Sequence, residues 1–185
     1  MSETKMAGCV VGIDASLTGL AICVANDVDV LLQVEFTSKP AKSLRGRFER
    51  YQRLCDQVVA ALAPYRGDID AIGLEGYNFG SQTSSTTLGE FGGQLRAALL
   101  RTANVLEVSP STLKQFAAGK GNAKKLEVVS ALSHRYGRQF RTDNEADAFG
   151  LAQLMLCAIG AATPATEAQR KAVATVQKLR ALEAA

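Results

Sequence analysis

Residues 8–15, Gly-Cys-Val-Val-Gly-Ile-Asp-Ala, are almost entirely apolar until the aspartate near their end. A short continuous apolar run with no helical spacing reads as a buried strand. Two more such runs follow, 20–25 (Leu-Ala-Ile-Cys-Val-Ala) and 28–36 (Val-Asp-Val-Leu-Leu-Gln-Val-Glu-Phe). Turn residues at Thr18-Gly19 and Asn26-Asp27 separate them, which predicts a meander of three antiparallel strands. The period then changes. Leu44, Phe48, Tyr51, Cys55, Val58 and Leu62 recur at spacings of four and three, the signature of one apolar stripe on a long helix. Arg45, Arg47, Arg50 and Arg53 fall on its other face, where a solvated surface is expected. Residues 69–75 (Ile-Asp-Ala-Ile-Gly-Leu-Glu) predict a fourth strand.

A polar stretch, Ser81 to Thr87, leads into a helix expected over about Leu88 to Thr102, and 104–108 predicts a short fifth strand. Ser109-Pro110 places a capping hydroxyl before a proline at the first helical position, a strong helix start. That helix should end at Gly119. Further helices are expected over about Ala123 to Tyr136 and Asn144 to Ile159, and a last one from Thr163-Pro164. Three antiparallel strands, then a helix, then alternating strand and helix, predict a mixed α/β fold. The sheet should have five strands, three antiparallel followed by two parallel, flanked by helices. The expected domain runs over 8–160, with a helical extension over 163–185.

The chain of 185 residues suits a single domain, and 47% hydrophobic with 21% charged residues is enough for a real core. Net charge is only +3, so a nucleic-acid site must come from local clustering of cations. Cys9, Cys23, Cys55 and Cys157 are scattered among apolar neighbours without a C-x-x-C pair, which reads as buried reduced thiols. No apolar run approaches the roughly 18 residues of a membrane span. The N-terminus lacks the order of a signal peptide. Action in the cytoplasm of a bacterial or phage-infected cell is the expectation, with no membrane partner.

Acids at the ends of apolar elements change the picture. Asp14 ends one strand, Glu75 another, and Asp147 lies early in an apolar helix, with Asp143 one turn before it. A buried carboxylate is costly without a partner, and several together repel. Mg²⁺ or Mn²⁺, which prefer oxygen ligands, are the natural neutralisers. Two such ions about 4 Å apart can activate a water and stabilise the leaving oxygen of a phosphodiester. Taken singly, Asp14 reads better as a turn residue, Glu75 as a loop-edge acid and Asp143 as a helix N-terminal acid favoured by the dipole. Their joint arrangement on strand, strand and helix favours a metal centre.

The motifs also resemble a known family. Gly12-Ile13-Asp14-Ala15-Ser16-Leu17-Thr18-Gly19 is similar to the first strand and turn of RuvC-type Holliday junction resolvases, in the RNase H-like superfamily. Leu74-Glu75-Gly76-Tyr77 resembles their second acidic strand end. The segment from Lys114 through Gly119-Lys120-Gly121-Asn122-Ala123-Lys124-Lys125 resembles their Lys…Gly-x-Gly-x-Ala-x-Lys pattern, and Glu145-Ala146-Asp147-Ala148 their last acidic helix. The likeness spans about 8–160 and looks closer to phage-type members around Glu75 to Gly93. It implies an RNase H-like fold and a homodimeric, Mg²⁺-dependent endonuclease of DNA recombination and repair, with Mn²⁺ also supporting activity. Its substrate would be four-way junction DNA, cut to leave 5′-phosphate and 3′-hydroxyl ends. Asp14, Glu75 and Asp147 would be metal ligands. The family often has Asp or His where this chain has Asn144, so Asp143, one residue earlier, is the expected fourth ligand.

Lys114, Lys120, Lys124 and Lys125 cluster around the Gly-x-Gly turn. There, lysines near a scissile phosphate can stabilise developing charge, with Lys125 the expected catalytic cation. A solvated helix–turn–helix surface is the plainer alternative. Tyr77 and Phe79, just after Glu75, are expected to stack on or wedge between bases, or else to anchor their loop in the core. Gly89, Gly92 and Gly93 each cost roughly 1 kcal/mol inside a helix. Close approach of a second backbone would compensate, and the resemblance points to a dimer interface there. His134, among polar neighbours, reads as a surface residue. Arg45, Arg47, Arg50 and Arg53, like Arg135, Arg138 and Arg141, read most simply as solvated faces and otherwise as contacts to a junction arm. The cationic last helix reads as a cap on the fold, an extension of the dimer or a DNA contact.

Two other functions fit parts of the pattern. Actin-like ATPases and sugar kinases open with a similar hairpin on a related fold, but need two such domains. A non-catalytic DNA-binding module that kept the fold has no reason to keep buried acids.

Overall fold

One sheet organises the chain, with strand order β3-β2-β1-β4-β5. The computed structural model describes residues 8–76 and 85–183. β1 (Cys9–Asp14), β2 (Gly19–Ala25) and β3 (Val30–Thr37) form the antiparallel meander. β4 (Ile69–Glu75) and β5 (Val105–Val108) extend it in parallel on the other side of β1. This is the mixed five-stranded sheet expected from the strand pattern, and with its flanking helices it is an RNase H-like fold.

The strands are continuous apolar runs because both faces of the sheet are covered. Side chains alternate between faces along a strand. Cys9, Val11 and Ile13 of β1, with Ile72 and Leu74 of β4, face a core closed by α1 (Leu44–Leu62) and α2 (Ser85–Leu99). Val10 of β1 and Ala21 and Cys23 of β2 face the other core. That side holds α3 (Pro110–Ala118), α4 (Lys125–Tyr136), α5 (Asp143–Ile159) and α6 (Glu167–Glu183). α5 is the central element of this layer and lies across β1, β2 and β4.

Two glycines let it lie so close. A Cβ at Gly12 would collide with the backbone carbonyl of Ala148 and the amide of Ala152, and one at Gly73 would reach 2.8 Å from Cγ of Met155. Gly12 and Gly73 are direct neighbours across the β1–β4 pair. Glycine inside a strand weakens it and marks such an approach. α5 therefore rests almost on the backbone of the two strands that end in acids.

The helix starts follow local chemistry. Ser109 accepts a hydrogen bond from the Thr112 amide with Pro110 in the first turn, and Gly119, at φ 84°, ends α3, as expected. The last helix begins later than Thr163-Pro164. Its cap is Thr166, whose hydroxyl accepts from the Gln169 amide while the Gln169 side chain accepts from the Thr166 amide. α6 packs on α3 and α5 and buries Ala172, Val173 and Val176 in the same core.

Helix α1 departs most from its sequence pattern. The apolar stripe holds from Tyr51 onward, but Leu44 and Phe48 remain largely exposed. Arg50, expected on the solvated face, is buried at 7% exposure. Its guanidinium donates to the Leu17 carbonyl at 2.6 Å, to Oγ of Ser38 at 2.8 Å and to the Ser38 carbonyl at 3.3 Å. Hydrogen bonding is what makes a charge tolerable there. Arg45 is exposed and pairs with Glu49, while Arg47, only partly exposed, pairs with Glu90. Arg53 is exposed.

Candidate metal centre

The alternation that sorts apolar side chains between the two cores also places the acids. Asp14 is in phase with Val10 and Gly12, and Glu75 with Gly73, so both are on the α5 side of adjacent parallel strands. Asp147 sits on α5 just after its first turn. Glu35 of β3 fixes this end of the helix, accepting from the Thr142 hydroxyl at 2.7 Å and from the Asn144 amide nitrogen at 2.9 Å. Thr142 is also the N-cap, accepting from the Glu145 amide.

One carboxylate oxygen from each of Asp14, Glu75 and Asp147 lies within 4.8 Å of the others, the one such group of potential metal ligands among the described residues. They line a pocket of about 700 Å³. Burial pushes the Asp14 carboxyl up to about 9, reinforced by the charges of Glu75 and Asp147. Burial, then the charge of Glu75, raises Asp147 to about 7. Glu75 is also raised, again chiefly by burial. Asp14 and Glu75 hydrogen-bond to each other, which requires a proton between them. Three hard oxygen donors that burial and, for Asp14 and Asp147, neighbouring acids keep from ionising fit a divalent cation such as Mg²⁺.

Two lysines share the pocket wall, Lys114 of α3 and Lys125 at the start of α4. Lys125 is ion-paired with Asp143, and that bond is the main reason its pKa is raised and that of Asp143 lowered. The expected four acids thus divide. Three converge, while Asp143 turns to Lys125 and Asn144 lines the pocket. Lys120 pairs with Glu127 at 2.8 Å, and Lys124 caps α4; neither lines the pocket. Gly119 serves as a left-handed helix cap, and a Cβ at Gly121 would stand 3.2 Å from the Ser111 carbonyl. Both glycines thus have structural duties. Tyr77 and Phe79 lie outside the described residues. His134 is exposed. All four cysteines are free and buried, with thiol pKa values raised by burial.

Sequence reasoning missed Glu35 and Arg50. Glu35 gave no signal because it lies within an alternating strand, and its partners are more than 100 positions away. Arg50 lines the acidic pocket, and its bond to Leu17 ties down the turn after Asp14.

No protein-family model and no curated protein matches the chain. Solved structures do. The RuvC structure of Thermus thermophilus superposes with a TM-score of 0.62 at 24% identity, covering 78% of this chain and 90% of that one. The same protein in complex with a Holliday junction substrate gives a TM-score of 0.64 at 24% identity and the same coverage. At that identity the likeness speaks for architecture alone: the chain has the fold of RuvC-type resolvases.

Proposed function

We propose that this protein is a metal-dependent endodeoxyribonuclease that cuts branched DNA, with the four-way Holliday junction as its principal substrate. The observation that carries the proposal is the convergence of Asp14, Glu75 and Asp147 from two strands and a helix into one pocket beside two lysines. The fold shared with a RuvC solved in complex with a Holliday junction substrate supports the choice of substrate. No helix among the described residues is long and apolar enough to cross a membrane, which accords with a cytoplasmic enzyme of recombination and repair.

In this reading Asp14, Glu75 and Asp147 hold the cation, Mg²⁺ by preference with Mn²⁺ as substitute. A divalent cation there supplies Lewis-acid stabilisation of charge at phosphorus and a water of lowered pKa. The chain supplies the rest. Burial keeps bulk water from screening the carboxylates, so their affinity for a cation is high. Asp143 holds Lys125 at the pocket wall, where its ammonium, with Lys114, offsets charge on the phosphate oxygens. Glu35 steadies the first turn of α5, and thereby Asp147. Lys120 and Lys124, outside the pocket lining, are the candidates for backbone phosphates further along a DNA arm, with Tyr77 and Phe79 as the base-contacting aromatics.

We assign the dimer contact to α2. A Cβ at Gly89 or Gly93 would meet nothing within 4 Å, so no neighbour among the described residues accounts for either glycine.

The test is cleavage of a panel of branched and linear DNAs with Mg²⁺, with Mn²⁺ and with chelator, products being mapped to the nucleotide. Asp14→Asn should bind four-way junctions and leave them uncut. Normal cutting by that variant removes Asp14 from the mechanism, and cutting in chelator removes the cation.

A further inference from the structure

Arg50 stands where two cavities meet. On one side is the acidic pocket. On the other is a cavity of about 550 Å³ between the 38–43 connection and the first half of α1. Its walls include Ser38, Lys39, Arg50, Arg53 and Gln57 and no carboxylate. The arginines of α1 divide accordingly. Arg45 and Arg47 have carboxylate partners, whereas Lys39, Arg50 and Arg53 have none within 4 Å among the described residues.

Arg50 is the informative member. It is 7% exposed, yet its charge meets only neutral oxygens, those of Ser38 and the Leu17 carbonyl. Those bonds use Nε and one terminal nitrogen; Nη1 bonds to no protein atom among the described residues. A cation largely withdrawn from water without a counter-charge is costly, and Nη1 remains free to donate to a bound group. An anion in the cavity supplies the counter-charge and takes that donor. The guanidinium fork suits phosphate oxygens, and Lys39 and Arg53 add positive charge from the open side.

We propose that this second cavity is a phosphate subsite. It holds a backbone phosphate of the same DNA strand whose neighbouring linkage lies at the acidic pocket. The proposal rests on the nuclease reading and deepens it. One side chain then joins substrate grip to the turn behind Asp14, because Arg50 is bonded to Leu17. The subsite reads charge and spacing and carries no base preference.

Binding of a fluorescent four-way junction in chelator, where nothing is cut, tests the idea. Lys39 and Arg53 are exposed, so K39Q/R53Q should keep the wild-type melting temperature. We expect this variant to bind about tenfold more weakly at 0.15 M salt, with a salt slope shallower by about 0.9, the value for one phosphate contact. R53Q alone should weaken binding severalfold, while R45Q, on the same helix but ion-paired, should stay within twofold. A methylphosphonate scan should find one backbone position whose neutralisation weakens the wild type and not K39Q/R53Q. If K39Q/R53Q binds as tightly as wild type, or R45Q loses as much as R53Q, there is no subsite. Failure of the wild type to bind any branched DNA overturns the nuclease reading itself.

Discussion

Replacing Asp14 by asparagine should make the cation-free protein more stable, not less. Asp14 has its carboxyl raised from 3.8 to about 9 by burial and by Glu75 and Asp147. A carboxyl raised on folding gives stability that is complete below its unfolded value and is lost as pH climbs through the folded one. The folded chain keeps a proton that the unfolded chain has released, over the window from about 4 to 9. Each pH unit in that window costs about 1.4 kcal/mol, so the cost at pH 7 is roughly 4 kcal/mol. Asparagine cannot ionise, occupies nearly the same volume and can still donate to Glu75. Its own amide is imperfectly matched, which cancels part of the gain, and a net of about 1–2 kcal/mol is expected. In a chain of this size that is a rise of roughly 2–8 °C in melting temperature. Thermal melts in chelator at pH 6 and pH 8 measure it. Wild type should melt lower at pH 8 than at pH 6, and Asp14→Asn should flatten that slope. Mg²⁺ should raise the wild-type melting temperature, more at pH 8, and raise the variant's much less. A variant that melts no higher than wild type at pH 8, with an unchanged pH slope, would show that the three acids are not in electrostatic conflict.

Other substitutions probe the scaffold. Gly12→Ala puts a methyl group into the backbone of α5, which has no slack; a loss of more than about 3 kcal/mol by chemical denaturation, or failure to fold, is expected. Arg50→Ala strips the Leu17 and Ser38 carbonyls of a charged donor and should lower stability by about 2–4 kcal/mol, read from the urea midpoint. Gly93→Ala meets no neighbour among the described residues and should leave the monomer intact while weakening self-association in sedimentation velocity. A wild type that is monomeric at all concentrations would remove the dimer assignment.

Much of the fold is legible along the chain because each element reports its own burial. The apolar runs at 8–15, 20–25 and 69–75 are strands covered on both faces, and Ser109-Pro110 with Gly119 brackets α3 closely. Acids at the ends of such runs are conspicuous for the same reason: a charge there needs a partner, whatever the partner is. Sequence periodicity thus marks Asp14, Glu75 and Asp147 individually, without bringing them together.

What brings them together is packing between elements distant in sequence. The pairing of Gly12 with Gly73 lets α5 settle on the sheet, and Glu35 holds its first turn. Asp143 and Asp147 look equivalent on a helical wheel. The tertiary structure separates them, because Lys125 lies within reach of one and the strand ends within reach of the other. Arg50 looks like any cation on an arginine-rich helix face until the turn after Asp14 supplies its acceptors. The sequence alone determined which positions are apolar, which carry charge and where the chain turns, since these are local free energies. Which charges meet was decided only by the three-dimensional arrangement, since Coulomb and hydrogen-bond energies depend on distances that local patterns do not contain.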